Sequence, residues 1–223
     1  MAELILTGPS GRIEARYDQS EIEGSPIALV LHGHPRAASS MQDRVTVMMH
    51  HLFKEKGFST LRFNFRGVGK SQGSFDNGIG ELADAAAMLD WLQSINPNAK
   101  FTWVAGYSFG AYIALQLLMR RPEIDAFIAV ATPCNHYDLA FLAPCPSSGM
   151  MFYGSNDLVS PPLDVERSVS KIRTQKGEVV EWEEIPGADH FFRDQLGLLK
   201  DRADAYIEKT MALPRKTPAT GKR

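Results

Sequence analysis

WVAGYSFGA, residues Trp103 to Ala111, joins an apolar run to a stretch of helical periodicity. Phe101 to Ala105 reads as a buried strand, and Phe109 to Arg120 as a helix. Between them lies a G-x-S-x-G sequence, Gly106-Tyr107-Ser108-Phe109-Gly110. A serine at such a junction sits on a turn so tight that its own backbone is strained, and small neighbours keep the turn free of clashes. That geometry lifts the Ser108 hydroxyl above the carboxyl end of a sheet. It also aims a helix N-terminus at the reacting oxygen, where the dipole favours negative charge.

Working outward, the chain alternates strand-like and helix-like segments. Leu4 to Leu6 and Arg12 to Tyr17 flank a Gly8-Pro9-Ser10-Gly11 turn and read as a hairpin. Strands are predicted at Pro26–Leu31, Ser59–Phe65, Ala126–Ala131, Gly149–Tyr153 and Val179–Glu184, and helices at Met41–Lys56, Gly80–Ile95, Leu163–Thr174 and Gln195–Met211. This order predicts a single-domain α/β fold, a mostly parallel twisted sheet with an N-terminal antiparallel hairpin and helices on both faces. The domain is expected over residues 1–213. Residues 214–223, rich in Pro, Thr and basic side chains, read as a disordered basic tail.

Composition narrows the partners. The chain has 223 residues, 44% hydrophobic and 22% charged, with a formal net charge of −2, which speaks against a nucleic-acid binder. No apolar run approaches the roughly 20 residues that span a bilayer, and the first residues do not read as a signal peptide. A cytoplasmic location is the expectation, without membrane association. Cys134 and Cys145 have neither a disulfide-scaffold count nor metal-ligand spacing. The sequence leaves oligomeric state open.

A serine hydroxyl needs a base, and the base an orienting carboxylate. With a strand–turn–helix nucleophile the chain order is Ser, acid, His. Asp157 follows the apolar Met151-Phe152-Tyr153 in a loop, and His190 follows the last strand just before the last helix. Asp189 adjoins His190 too closely in sequence to orient its ring, and Asp164 is the next alternative acid. His50 and His51 fall inside a helix, and His136 is expected to be exposed. A tetrahedral oxyanion needs two donors. The Phe109 backbone N–H is one. The other comes from His32-Gly33-His34-Pro35, where Pro35 has no N–H; His34 is assigned, with Gly33 the alternative. A metal held by His32 and His34 is a weaker reading, so no metal and no cofactor are expected.

GYSFG, LHGHP (31–35), RFNFRGVGKS (62–71), GSNDLVSPP (154–162) and GADHFF (187–192) together resemble, in this order, the α/β-hydrolase superfamily. The resemblance spans about Ile27 to Phe192. It is closest to small lid-less bacterial serine hydrolases related to dienelactone hydrolase and to peptidase-like hydrolase domains. Dienelactone hydrolase uses a cysteine where this chain has Ser108. The resemblance implies a triad of Ser108, Asp157 and His190. Only Thr132 to Ser148 separates the strands that usually flank a lid, too little for a packed helical lid, so an open cleft is expected. Tyr107, Tyr137 and Phe191 are its candidate walls.

The GVGKS string, Gly67 to Ser71, looks like the end of a phosphate-binding loop, but the position of that motif's first glycine holds Asn64. The segment resembles instead the hydrolase loop after the fourth strand, where Arg66 would brace the loops around the oxyanion donors and Gly67 and Gly69 would permit the turn. The leading expectation is a cofactor-free serine esterase acting on a small-molecule ester with a small or extended acyl group. A thioesterase or peptidase with the same triad and a non-catalytic binding protein are the alternatives.

Overall fold

The computed structural model describes residues 2–143, 145–173 and 180–213. The chain opens with the hairpin, β1 (Ala2–Gly8) and β2 (Gly11–Asp18), paired antiparallel with Gly8 opposite Gly11. Then follow β3 (Ile27–Leu31), α1 (Arg44–Glu55), β4 (Ser59–Phe63), α2 (Ile79–Ile95), β5 (Thr102–Tyr107) and α3 (Phe109–Leu118). β6 (Ala126–Val130), β7 (Ser148–Gly154), α4 (Pro162–Arg173), β8 (Val180–Ile185) and α5 (Leu196–Met211) complete the order. The eight strands form one sheet, β1-β2-β4-β3-β5-β6-β7-β8. β2 meets β4 antiparallel, and every pairing from β4 to β8 is parallel.

The unbroken apolar runs have a direct cause. Ile27, Leu29 and Leu31 of β3 face a core shared with α2, α3 and α4, whereas Ala28 and Val30 face a second core shared with α1 and α5. A strand covered on both faces favours apolar side chains at successive positions. Each fully buried large apolar side chain contributes about 1.5–3 kcal/mol, so these layers fix the strands that carry the site.

The chain leaves β3 toward β4 on one side and returns to β5 on the other. The loops after β3 and β5 therefore diverge from one crevice at the carboxyl edge, where open parallel sheets bind ligands. Leu31 is paired with Gly106, which brings the His32–Pro35 loop beside the serine turn. Between β6 and β7 the described residues contain only one short 3-10 turn, Ala140–Leu142, so no lid domain covers this edge.

Most element ends shift by one or two residues from the sequence reading, and two of the shifts have a visible cause. β4 ends at Phe63 because the Phe65 N–H leaves the ladder to bond His32 Nε2 at 3.1 Å. α1 starts at Arg44, not Met41, because a Ser40–Asp43 turn precedes it: Asp43 N–H bonds Ser40 O, and Ser40 N–H bonds Asp43 Oδ1. Cys134 and Cys145 are unpaired thiols. The proposed 214–223 tail lies outside the described residues. No described helix is long and apolar enough to cross a membrane.

Candidate active site

Ser108 joins β5 to α3 at φ 53° and ψ −120°, a conformation that side chains rarely adopt. The surroundings enforce it. Its N–H bonds the Val130 carbonyl at 2.8 Å, and glycines make room: a Cβ on Gly106 would collide with the Gly110 carbonyl, and one on Gly110 with the Leu31 and His32 carbonyls. α3 is thereby seated directly on the end of β3.

The loops after β7 and β8 deliver the next two groups. Ser108 Oγ lies 3.0 Å from His190 Nε2, and His190 Nδ1 lies 2.8 Å from Asp157 Oδ2. The other carboxylate oxygen, Asp157 Oδ1, accepts from the N–H groups of Val159 (2.8 Å) and Ser160 (2.7 Å). A carboxylate so held only accepts, so the imidazole proton resides on Nδ1 and Nε2 is left to face the hydroxyl. All three side chains are buried. Tyr107 is also buried; its hydroxyl donates to the His190 carbonyl at 3.1 Å, so it props the histidine loop while touching the cleft. Burial, with Asp43, Asp157 and Asp189 nearby, pushes the Tyr107 phenol pKa up.

The alternative residues go elsewhere. Asp189 accepts from the N–H groups of Phe191 and Arg193, and Asp164 pairs with Arg167 on α4. His50 is buried on α1 against Asp18, His51 is half-buried beside it, and His136 is exposed at the rim of the cleft.

On the other side of Ser108, Phe109 opens α3, so its N–H has no intrahelical acceptor. The N–H of His34 makes no hydrogen bond among the described residues, and the rings of these two residues lie 5.0 Å apart. His32 is fully buried and bonds the Phe65 N–H through Nε2. Its Nδ1–H then faces Ser39 Oγ at 3.3 Å, and the Ser39 hydroxyl donates to Asp43 Oδ2. Burial pushes the His32 pKa down to about 3, so the ring is neutral. His34 Nδ1 accepts from the Arg36 N–H at 3.1 Å, and burial, with Arg36 nearby, lowers its pKa too. The two rings are committed to different partners, and the described residues hold no cluster of three or more His, Cys, Asp or Glu able to bind a metal. Ser39 and Asp43 were missed by sequence reasoning; their only signal is a polar cluster just after LHGHP.

The open cleft around these groups has a volume of about 1060 Å³, with Phe109, Pro133, Tyr137, Val159 and Phe191 among its apolar lining. Tyr137 stacks on Tyr112 with centroids 3.9 Å apart, and Phe191 is 47% exposed beneath the Arg193 guanidinium. Arg66 lies just behind. Its Nε and Nη2 donate to the buried Asp84 carboxylate at 2.9 and 2.8 Å, so it braces the loop after β4 to α2 and does not bond the His32–Pro35 loop. Gly67 and Gly69 supply the left-handed turns of that loop, at φ 75° and 55°.

Comparison with known proteins identifies the fold. The model of the alpha/beta hydrolase fold family matches residues 26–148. An uncharacterized protein of Rickettsia prowazekii (strain Madrid E) is 47% identical over 197 residues, covering 86% of this chain and 83% of its own. The crystal structure of a putative alpha/beta hydrolase of unknown function from Agrobacterium tumefaciens superposes with a TM-score of 0.91 at 48% identity, over 94% of this chain and 96% of that one. A serine hydrolase without a lid from Xanthomonas campestris matches with a TM-score of 0.85 at 29% identity, over 97% and 96%. This chain therefore belongs to the alpha/beta hydrolase fold family.

Proposed function

We propose that the protein is a serine carboxylesterase that works through an acyl-enzyme without a cofactor. The observation that carries this reading is the continuous hydrogen-bonded chain from Ser108 Oγ through His190 to Asp157, with links of 3.0 and 2.8 Å. In the proposed reaction His190 Nε2 takes the hydroxyl proton as Ser108 Oγ attacks the acyl carbonyl. Asp157 holds the imidazole in the required tautomer and stabilises the imidazolium. The carbonyl oxygen becomes an oxyanion between the N–H groups of Phe109 and His34, at the positive end of α3. His190 then gives its proton to the departing alcohol. In the second half, water loses a proton to the same nitrogen and attacks the acyl carbon, and His190 passes that proton to Ser108 Oγ as the acid departs.

The uncovered cleft and its apolar lining support small or extended acyl groups as substrates, bound from solution. The test is labelling with a fluorophosphonate probe, followed by comparison of p-nitrophenyl butyrate, an acyl thioester and an aminoacyl amide. Wild-type protein is expected to label, Ser108→Ala is not, and the ester is expected to have the highest kcat/KM. Unlabelled wild-type protein, or equal labelling of the variant, would overturn the serine mechanism. A faster thioester or amide would overturn only the ester assignment.

A further inference from the structure

The two proposed oxyanion donors are joined through their side chains by a third residue. The Phe75 ring, from the loop between β4 and α2, lies 4.8 Å from the His34 ring and 5.8 Å from the Phe109 ring. With His34 and Phe109 5.0 Å apart, the three rings form a closed triangle. The Arg36 guanidinium stands 4.7 Å from the Phe75 centroid, and the Arg36 N–H returns to His34 Nδ1. The loop carrying Phe75 is anchored from behind. Fully buried Glu81 accepts the Asp76 N–H at 2.9 Å and the Gly78 N–H at 2.8 Å, and the Arg66–Asp84 pair fixes its upstream end.

We propose that Phe75 is a positioning residue for the oxyanion site: its ring clamps His34 against Phe109 and so sets the spacing of their two backbone N–H groups. This rests on the esterase reading above and adds to it a residue outside the triad and the hole. The physical basis is the steep dependence of such sites on placement. Donors must already sit where negative charge develops, and a 1 Å misplacement costs on the order of 100-fold in rate. His34 belongs to a loop, not to the sheet or a long helix; its carbonyl accepts from the Ala37 N–H at 2.9 Å, and packing of its side chain supplies the rest of what holds its backbone. The same geometry gives the loop after β4 a purpose: the Arg66–Asp84 pair acts on the site through Phe75, not by direct contact.

The test is Phe75→Leu, which keeps apolar bulk but loses the ring, beside Phe75→Tyr, which keeps it. Active sites are first titrated with the fluorophosphonate, so that loss of folded protein is not read as loss of rate. Phe75→Leu is expected to lower kcat per titrated site about 10-fold with KM within about twofold, as for an interaction made only in the transition state. Affinity for a trifluoromethyl ketone, which forms an oxyanion on Ser108, should weaken by the same factor. Phe75→Tyr is expected to retain both. Wild-type kcat and ketone affinity in Phe75→Leu would overturn the proposal and leave the esterase reading standing, as would equal loss in Phe75→Tyr. An unlabelled wild-type protein would overturn both.

Discussion

Asn64, Lys70 and Glu14 show at the scale of single residues why GVGKS is not a phosphate cradle. The Lys70 N–H, which such a loop would offer to an anion, bonds the Glu14 carboxylate at 2.8 Å. Asn64 Nδ2 donates to the same oxygen, and Ser71 Oγ bonds the Asn64 carbonyl and the Glu14 N–H. The chain has filled its own anion site with a carboxylate. Lys70 points away, 65% exposed, to Glu3. Lys70→Ala is therefore expected to keep kcat/KM within about twofold of wild type and to leave the urea midpoint nearly unchanged, since a fully exposed pair adds little to stability. Arg66→Ala should behave in the opposite way. It leaves the buried Asp84 carboxylate without its counter-charge, held only by the backbone N–H of position 66, at a cost of about 3–5 kcal/mol, read as a lower urea midpoint at unchanged slope. A third substitution acts on the base. Tyr107→Phe removes only the bond to the His190 carbonyl, a net loss of about 0.5–1.5 kcal/mol. It should lower kcat several-fold with little change in KM, and an unchanged kcat would deny Tyr107 its propping role.

At the scale of elements, the seat of α3 on β3 controls the site. Gly110 lies against the Leu31 and His32 carbonyls with no space for a Cβ. Gly110→Ala must push α3 off β3, moving the Phe109 N–H and the His34 loop apart. A lower melting temperature together with a kcat loss larger than that of Tyr107→Phe is the expected result; a native-like melting temperature would mean that the contact yields easily. Legibility in the sequence followed the same division. β3 and β6 were readable because burial on both faces writes itself into unbroken apolar runs, and the meeting of Ser108, Asp157 and His190 was readable because chain order and loop position are sequence properties. The end of β4 and the start of α1 were not, because each is set by a bond between a side chain and the backbone: His32 to Phe65 across 33 positions, and Asp43 to Ser40. Phe75, Ser39 and Asp43 escaped for a related reason. Their roles lie in contacts with the His32–Pro35 loop that no periodicity records. Arg66 was recognised as a brace, but its anchor, Asp84 on α2, lies 18 residues away.

At the scale of the whole molecule, two buried histidines tie stability to pH. Burial pushes His32 down to about 3 and His50 down to about 4; around His50 the Asp18 carboxylate opposes burial, while Arg62 and His51 reinforce it. Both are neutral in the folded protein, and in the unfolded chain both titrate near pH 6.5. Below that pH the unfolded state binds more protons, so stability is complete above about pH 6.5 and falls as pH drops toward about 4, where folded His50 begins to protonate. His32 extends the decline toward pH 3, each histidine costing about 1.4 kcal/mol per unit while only its unfolded form is charged. Urea midpoints at pH 7.5, 6.5, 5.5 and 4.5 should decline across the last three, and the drop from pH 6.5 to 5.5 lies above the range where most carboxylates titrate. His50→Gln can keep a donor toward Asp18 but takes up no proton. Its stability at pH 7.5 can fall, but its decline between pH 6.5 and 4.5 should be shallower than wild type by about one proton, close to 1.4 kcal/mol per unit. A variant whose slope matched wild type would show that His50 is protonated in the fold, and its bond to Asp18 would then be an ion pair.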